Sequence, residues 1–355
     1  MRILQVIPTL GSGGAESFVT EISMELRKRG ETCDVLTLYD SSNSPRFNLL
    51  RDKNIEVYTL NKAKGFHVSI LFRIIKFIRS HKYDVVHVHI GAIKYIFLAS
   101  LLLGNTRFIA TIHSEAKREA GRSIDRVSRK IMFKRNLCVP VTISDESEKS
   151  FEDFYGYSAA IIPNGVSSYR EPLDITRPNN QIFIHPASCQ PIKNQELLIE
   201  AFIKLTQDFP EAKLVWVGNS KMYPDLFASL SKKFNKNIEY LGESDNVRKL
   251  MSQADAICLS SKMEGLPMTI IEAFSVGCIP ICTPVGGCKN IIKNGINGFL
   301  SPDMTVEGYY KILKQFCQLS PSNLKMIKEN ALKSFDAYSI EKCCKKYLAL
   351  YALSN

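Results

Sequence analysis

The sequence predicts an α/β protein of two Rossmann-like halves, each a parallel sheet with helices on both faces. Three observations carry this. Short apolar runs of strand length alternate with amphipathic stretches of helix length along the chain, and crossovers of that size build parallel sheets. At 355 residues there is enough chain for two domains of ordinary size. The stretch YREPLDITRPNN, residues 169–180, has two prolines and no apolar periodicity, and reads as a linker. The expected boundaries are 1–168 for the first domain, 169–180 for the linker, 181–336 for the second domain and 337–355 for a closing helix.

RILQVIP, residues 2–8, is the first strand, and GSGGAE (11–16) leads into an amphipathic helix over 17–29 closed by Gly30. CDVLTLY (33–39) and IEVYTL (55–60) are the next strands. Between 68 and 81, Ile70, Leu71, Ile74, Ile75 and Ile78 line one side of a helix. DVVHVH (84–89), FIATIH (108–113) and CVPVTIS (138–144) follow as strands, then a helix over 145–155 and AAIIPNGVS (159–167). The second half opens with QIFIHPAS (181–188) and a helix carrying Leu197, Leu198, Ala201 and Phe202 at helical spacing. AKLVWVGN (212–219) and NIEYLGES (237–244) add strands, and SIEKCCKKYLALYAL (339–353) is an amphipathic helix.

Composition narrows the partners. A net charge of +11 favours anionic ligands, but the basic residues are not interleaved with aromatics and no nucleic-acid module is present, so no nucleic acid is expected. Ten cysteines without a C-x-x-C pair argue against a zinc site or a disulfide framework. No stretch approaches the roughly 20 apolar residues of a membrane span, and MRILQVIPTL lacks a signal-peptide pattern, so a cytoplasmic location is expected. The basic run over 116–135 reads as a solvated helix face. With Ile124, Val127, Ile131 and Met132 on an apolar side, it also suits peripheral contact with the inner face of an anionic membrane.

The most informative stretch is 256–300, AICLSSKMEGLPMTIIEAFSVGCIPICTPVGGCKNIIKNGINGFL. An apolar run, 256–259, suits a buried parallel strand. A helix follows, with Pro267 in its first turn, an apolar stripe of Ile270, Ile271 and Phe274, and Gly277 at its end. A second buried strand covers 279–282. The loop from Glu264 to Met268 therefore precedes a helix, where unpartnered amides and the macrodipole hold a phosphate, and Gly265 permits close approach. Glu264 and Glu272 flank that spot. A phosphate repels them, so each suits a sugar diol, and a ligand with phosphate in the middle and polyols at both ends is a nucleotide sugar.

Glu264 and Glu272, with seven residues between them in EGLPMTIIE and followed by GG and NGINGFL, resemble the E-x7-E signature of retaining glycosyltransferases of family 4. The resemblance spans nearly the whole chain and implies the GT-B fold, two Rossmann-like domains with parallel sheets facing across a cleft and the helix of 337–355 returning to the first domain. It implies donor binding by Gly14, Gly265, Leu266, Pro267, Met268, Thr269 and Glu272, and catalytic roles for His113, Lys193 and Glu264. His113 would sit beside the transferred sugar, while His87 and His89 read as packing residues. Relatives clamp the diphosphate with an Arg and, a few residues on, a Lys. Lys193 matches the Lys, but Ala187 and Ser188 stand where the Arg is expected.

The implied reaction transfers a sugar from a UDP- or GDP-sugar to a hydroxyl of a glycan or lipid-linked acceptor, with retention. No D-x-D occurs, so neither divalent metal nor cofactor is expected. A nucleotide-sugar epimerase on the same fold and a non-catalytic nucleotide-sugar-binding subunit remain alternatives. A Rossmann dehydrogenase is disfavoured because no G-x-G-x-x-G fingerprint is present.

Overall fold

The computed structural model describes residues 1–11, 13–121, 123–169, 171, 181–244 and 246–353. The first half contributes strands Arg2–Ile7 (β1), Thr32–Thr37 (β2), Val57–Thr59 (β3), Val85–His89 (β4), Arg107–Ile112 (β5), Val139–Thr142 (β6) and Ala160–Ile161 (β7). They pair in parallel in the order β3-β2-β1-β4-β5-β6-β7. The second half contributes Ile182–Pro186 (β8), Lys213–Val217 (β9), Ile238–Gly242 (β10), Ala256–Leu259 (β11), Ile279–Cys282 (β12) and Phe299–Leu300 (β13). These are also parallel, in the order β10-β9-β8-β11-β12-β13. The chain divides into two units, 1–167 with 339–355, and 168–338.

Central strands such as β4, β11 and β12 are buried along their whole length, which is why β11 and β12 read as unbroken apolar runs. In the first unit Leu4, Val6, Val86 and Val88 face Ile74 and Ile78 of helix Val68–His81. On the other face Ile3, Val85 and Ile109 pack with Phe18, Ile22, Tyr347 and Tyr351. Each such large side chain contributes about 1.5–3 kcal/mol by leaving water. Tyr347 and Tyr351 come from helix Ile340–Tyr351, capped by Ser339 and joined to the preceding loop where Ile340 N donates to Val166 O at 2.9 Å. In the second unit Trp216, Phe183 and Phe202 form the centre of the core.

Several expectations change. The stretch 159–167 is a strand only over Ala160–Ile161. It lies at the sheet edge, and Pro163 has no N–H to continue a ladder. Helices Pro45–Asp52, Pro224–Ser231, Val306–Cys317 and Pro321–Phe335 have no counterpart in the sequence reading. Of the expected linker only Tyr169 and Glu171 are described, and the remainder lies outside the described residues.

The basic run is not a uniformly solvated face. Helix Ser123–Lys134 turns Arg129, Met132 and Phe133 inward, while Arg126, Val127 and Lys130 face out. The anticipated apolar side is therefore split between core and surface: Met132 is buried, Ile131 half-buried and Val127 exposed, and the Ile124 side chain lies outside the described residues. Among the described residues, no helix is long and apolar enough to cross a membrane.

Candidate functional site

The second sheet changes winding direction between β8 and β11. At such a switch point the loops leaving two neighbouring strands diverge and open a crevice at their carboxyl ends. The loop after β8 carries Lys193, and the loop after β11 carries Glu264. Lys193 Nζ donates to Glu264 Oε1 at 2.7 Å, and Ser261 Oγ donates to the same oxygen at 2.5 Å. Backbone bonds hold the loops in register: Lys262 N donates to Ile192 O at 2.8 Å, and Ser260 Oγ to Lys193 O at 2.9 Å.

The glycine pair after β12 completes this support. A Cβ on Gly286 would lie 1.8 Å from Glu264 O, and one on Gly287 would lie 1.8 Å from Gly265 O. Gly286 also has φ +43°, a left-handed conformation. Gly287 N donates to Glu264 O at 3.2 Å. Only residues without side chains let this segment press against the acidic loop.

Beyond the loop, helix Met268–Ser275 begins. Pro267 is its N-cap rather than a first-turn residue, and a residue without an N–H loses nothing there. Leu266, Pro267 and Met268 are buried, so their side chains anchor the loop; Gly265 is exposed, and Glu264, Thr269 and Glu272 are half-buried. Any contact to a ligand from Leu266 or Met268 is thus through the backbone. Glu272 stands in the second turn, where Ser275 Oγ donates to its carbonyl at 2.6 Å. Gly277, φ +67°, follows the helix end.

At the two positions where the sequence resemblance implies an Arg, Ala187 is buried and Ser188 half-buried. A Cβ on Gly218 would come within 2.2 Å of Ala187 O, and Trp216 Nε1 donates to that same oxygen at 2.8 Å. The segment is held by its backbone, with no cation at either position.

In the first unit Gly14 opens the 15-residue helix Gly14–Lys28, with Gly13 as its N-cap. The Glu16 carboxylate folds back beside Gly13, and Arg46 Nη1 donates to Gly11 O. Ser12 lies outside the described residues. His113 follows β5. Its backbone N donates to Glu119 Oε2 at 2.8 Å, and Glu119 in turn lies 3.5 Å from the buried guanidinium of Arg129. Burial raises the Glu119 carboxyl above its ordinary value even with Arg129 beside it. His113 Nε2 pairs with His89 Nδ1 at 3.0 Å, and its Nδ1 faces Asn164 Nδ2 at 3.5 Å.

Burial pushes His113 down to about 3, so the ring is neutral near pH 7 and neither a general acid nor a cation. His87 and His89 are driven low for the same reason. His87 bonds Tyr351 Oη and Thr111 Oγ1, each at 2.7 Å, which is a packing arrangement. Gly14 and His113 thus belong to one unit and the other eight anticipated residues to the second. Sequence reading missed Ser261, Asn164 and Glu119. A serine after a strand and an acid inside a basic run carry no distinguishing pattern, whereas the NG step of IPNGV, residues 164–165, is legible as a turn but not as a site.

Comparison with known proteins agrees with this architecture. The family Glycosyltransferase Family 4 matches residues 12–170, and Glycosyl transferases group 1 matches 174–333. An uncharacterised glycosyltransferase of Haemophilus influenzae is 24% identical over 96% of this chain and 97% of the relative. The Escherichia coli UDP-Gal:α-D-GlcNAc-diphosphoundecaprenol α-1,3-galactosyltransferase is 24% identical, covering 79% of this chain and 78% of its own. Among solved structures, Anabaena HepE in complex with UDP and glucose superposes with a TM-score of 0.83 at 19% identity, over 99% of this chain and 100% of that one. A Rickettsia africae glycosyltransferase gives 0.82 at 21% identity, covering 99% and 97%. The chain belongs to glycosyltransferase family 4, and it is a glycosyltransferase with the GT-B fold.

Proposed function

We propose that the protein transfers a hexosyl group from a UDP- or GDP-sugar to an acceptor hydroxyl, with retention and without a divalent metal, in assembly of a polysaccharide or lipid-linked glycan. The observation that carries this reading is the Lys193–Glu264 contact at 2.7 Å, set at the carboxyl ends of β8 and β11 and beside the start of a helix. Lys193 supplies a fixed positive charge for the departing diphosphate, and the amides of Met268 and Thr269 add donors without intrahelical partners. Lys193 and Ser261 occupy one oxygen of Glu264, while a carboxylate's second oxygen can accept a hydroxyl of the transferred sugar. Glu272 accepts from the ribose diol. In the first unit Gly14 is assigned to the diphosphate and His113 to the sugar.

The E. coli relative is named for a UDP-galactose donor and an undecaprenyl-diphosphate acceptor, and HepE was solved with UDP and glucose. Both favour a uridine nucleotide here. Peripheral contact with an anionic membrane is supported by Phe66, Val68 and Phe72, which are exposed together with Arg73, Lys76 and Arg79.

The test is turnover of a donor panel with lipid-linked acceptors, with and without a chelator, and determination of the product anomer. Release of nucleoside diphosphate only when acceptor is present, insensitivity to chelator and a product of the donor's anomeric configuration are expected. Sugar inversion without acceptor would instead identify an epimerase, and binding without turnover a non-catalytic subunit.

A further inference from the structure

Both ring nitrogens of His113 meet the protein itself, and the two sides differ in kind. On the Nε2 side runs a chain of close contacts: His113 Nε2 to His89 Nδ1 at 3.0 Å, then His89 Nε2 to Gln5 Oε1 at 2.8 Å. Gln5 and His89 are fully buried. On the Nδ1 side Asn164 Nδ2 is 3.5 Å away, at the limit of a hydrogen bond. Asn164 is 2% exposed, and its Oδ1 is buried without a hydrogen-bond partner. A buried amide oxygen left without a donor is a standing cost, so this side of His113 is the less satisfied of the two.

The chain has one direction. An amide oxygen only accepts, so His89 carries its proton on Nε2 and leaves Nδ1 bare. His113 must then donate from Nε2, which leaves its own Nδ1 bare beside Asn164. We propose that Gln5 and His89 are positioning residues that hold His113 as the Nε2–H tautomer, so that Nδ1 accepts the proton of a hydroxyl of the transferred sugar while the neighbouring Asn164 Nδ2 donates to that hydroxyl's oxygen. This rests on the reading of His113 as a sugar-contacting residue and adds what that contact must be: an acceptor for a hydroxyl, unsuited to an anionic group.

The surroundings hold the arrangement in place. Gln5 and His87 are register partners of β1 and β4, and the His87 and His89 ring centroids lie 4.2 Å apart. Phe18 covers His113 from helix Gly14–Lys28, with centroids 5.8 Å apart. The carboxylate facing His113, Glu119, is taken up by the His113 backbone N–H and the Ser114 hydroxyl, with Arg129 behind it. On the Asn164 side, a Cβ on Gly165 would lie 2.7 Å from Ile340 Cα. That close approach presses the turn against helix Ile340–Tyr351 and gives the NG step its purpose.

The experiment uses full-length protein labelled with 15N-histidine. Its six histidines give a sparse spectrum, and His113→Gln identifies the resonances concerned. Without substrate, His113 should show a protonated Nε2 and a bare Nδ1, unchanged across neutral pH. Gln5→Leu removes the terminal acceptor and should populate the Nδ1–H form. It should also raise the KM for the sugar donor by about tenfold, the scale of one lost polar contact, while affinity for free nucleoside diphosphate stays within about twofold. Gln5→Glu keeps an acceptor oxygen and should restore both readouts. An Nδ1–H tautomer in the unsubstituted protein, or a tautomer indifferent to Gln5→Leu, would overturn the proposal. If the tautomer responds but His113→Gln leaves donor KM and kcat unchanged, the hydroxyl assignment is overturned while the glycosyltransferase reading survives.

Discussion

The sharpest prediction concerns Gly287→Ala. Gly287 does not have a positive φ, so alanine brings no backbone strain of its own; its added carbon would lie 1.8 Å from Gly265 O and 3.2 Å from Pro267 Cδ. The neighbour at the closest point is backbone and cannot rotate aside. Ordinary contact requires the acidic loop to recede by about 1.5 Å. Glu264 rides on that loop and Lys193 holds it at 2.7 Å, so a shift of this size breaks the ion pair and displaces the first amides of helix Met268–Ser275. Misplacing reacting groups by about 1 Å costs on the order of 100-fold in rate, whereas overpacking costs about 1–3 kcal/mol of stability. The variant should therefore fold, with a Tm lower by roughly 2–10 °C, and lose about 100-fold in kcat/KM. Release of nucleoside diphosphate in the presence of acceptor measures the rate. Gly104→Ala is the control, because nothing lies within 4 Å of its added carbon. A folded Gly287→Ala enzyme with kcat/KM close to that of the control would refute the claim that this glycine sets the acidic loop.

Other expectations follow from the same geometry. Lys193→Ala should act mainly on kcat, by about 100-fold for one lost stabilising donor; a pure KM effect would remove it from leaving-group stabilisation. Glu272→Ala should weaken donor binding by at least about tenfold, the loss of a charge-assisted bond, and unchanged kinetics would exclude it from the site. Lys328 and Asp255 form a 3.3 Å pair with side chains 4% and 0% exposed. Lys328→Met should cost about 3–5 kcal/mol in denaturant unfolding, and Lys328→Met with Asp255→Asn should recover part of that loss, an outcome whose absence would count against the pair. Burial lowers His113 to about 3 and His185 to about 4, so below the unfolded value near 6.5 the unfolded chain binds protons that the folded chain refuses. Stability should be fully present above about pH 6.5 and fall towards pH 4, by up to about 1.4 kcal/mol per pH unit for each such histidine. A stability unchanged between pH 7 and 5 would contradict this.

Sequence alone determined the alternation of strands and helices, because burial on both faces forces unbroken apolar runs such as those of β11 and β12, and helices must show a stripe such as Ile70, Ile74 and Ile78. It also exposed the stretch from Glu264 to Glu272, where a local order of strand, glycine and helix start is what the proposed phosphate site is read from. Strand order, by contrast, is a property of long-range pairing, and β8 finds β11 across the whole of residues 187–255. Only the folded chain could show that Lys193 meets Glu264, that two glycines touch the carbonyls of that loop, or that Arg129 turns inward to Glu119 from a run that reads as solvent-facing. The physical reason is the same in each case. Periodicity and turn chemistry are written in neighbouring residues, whereas a buried partner is decided by which distant backbone arrives at the same place.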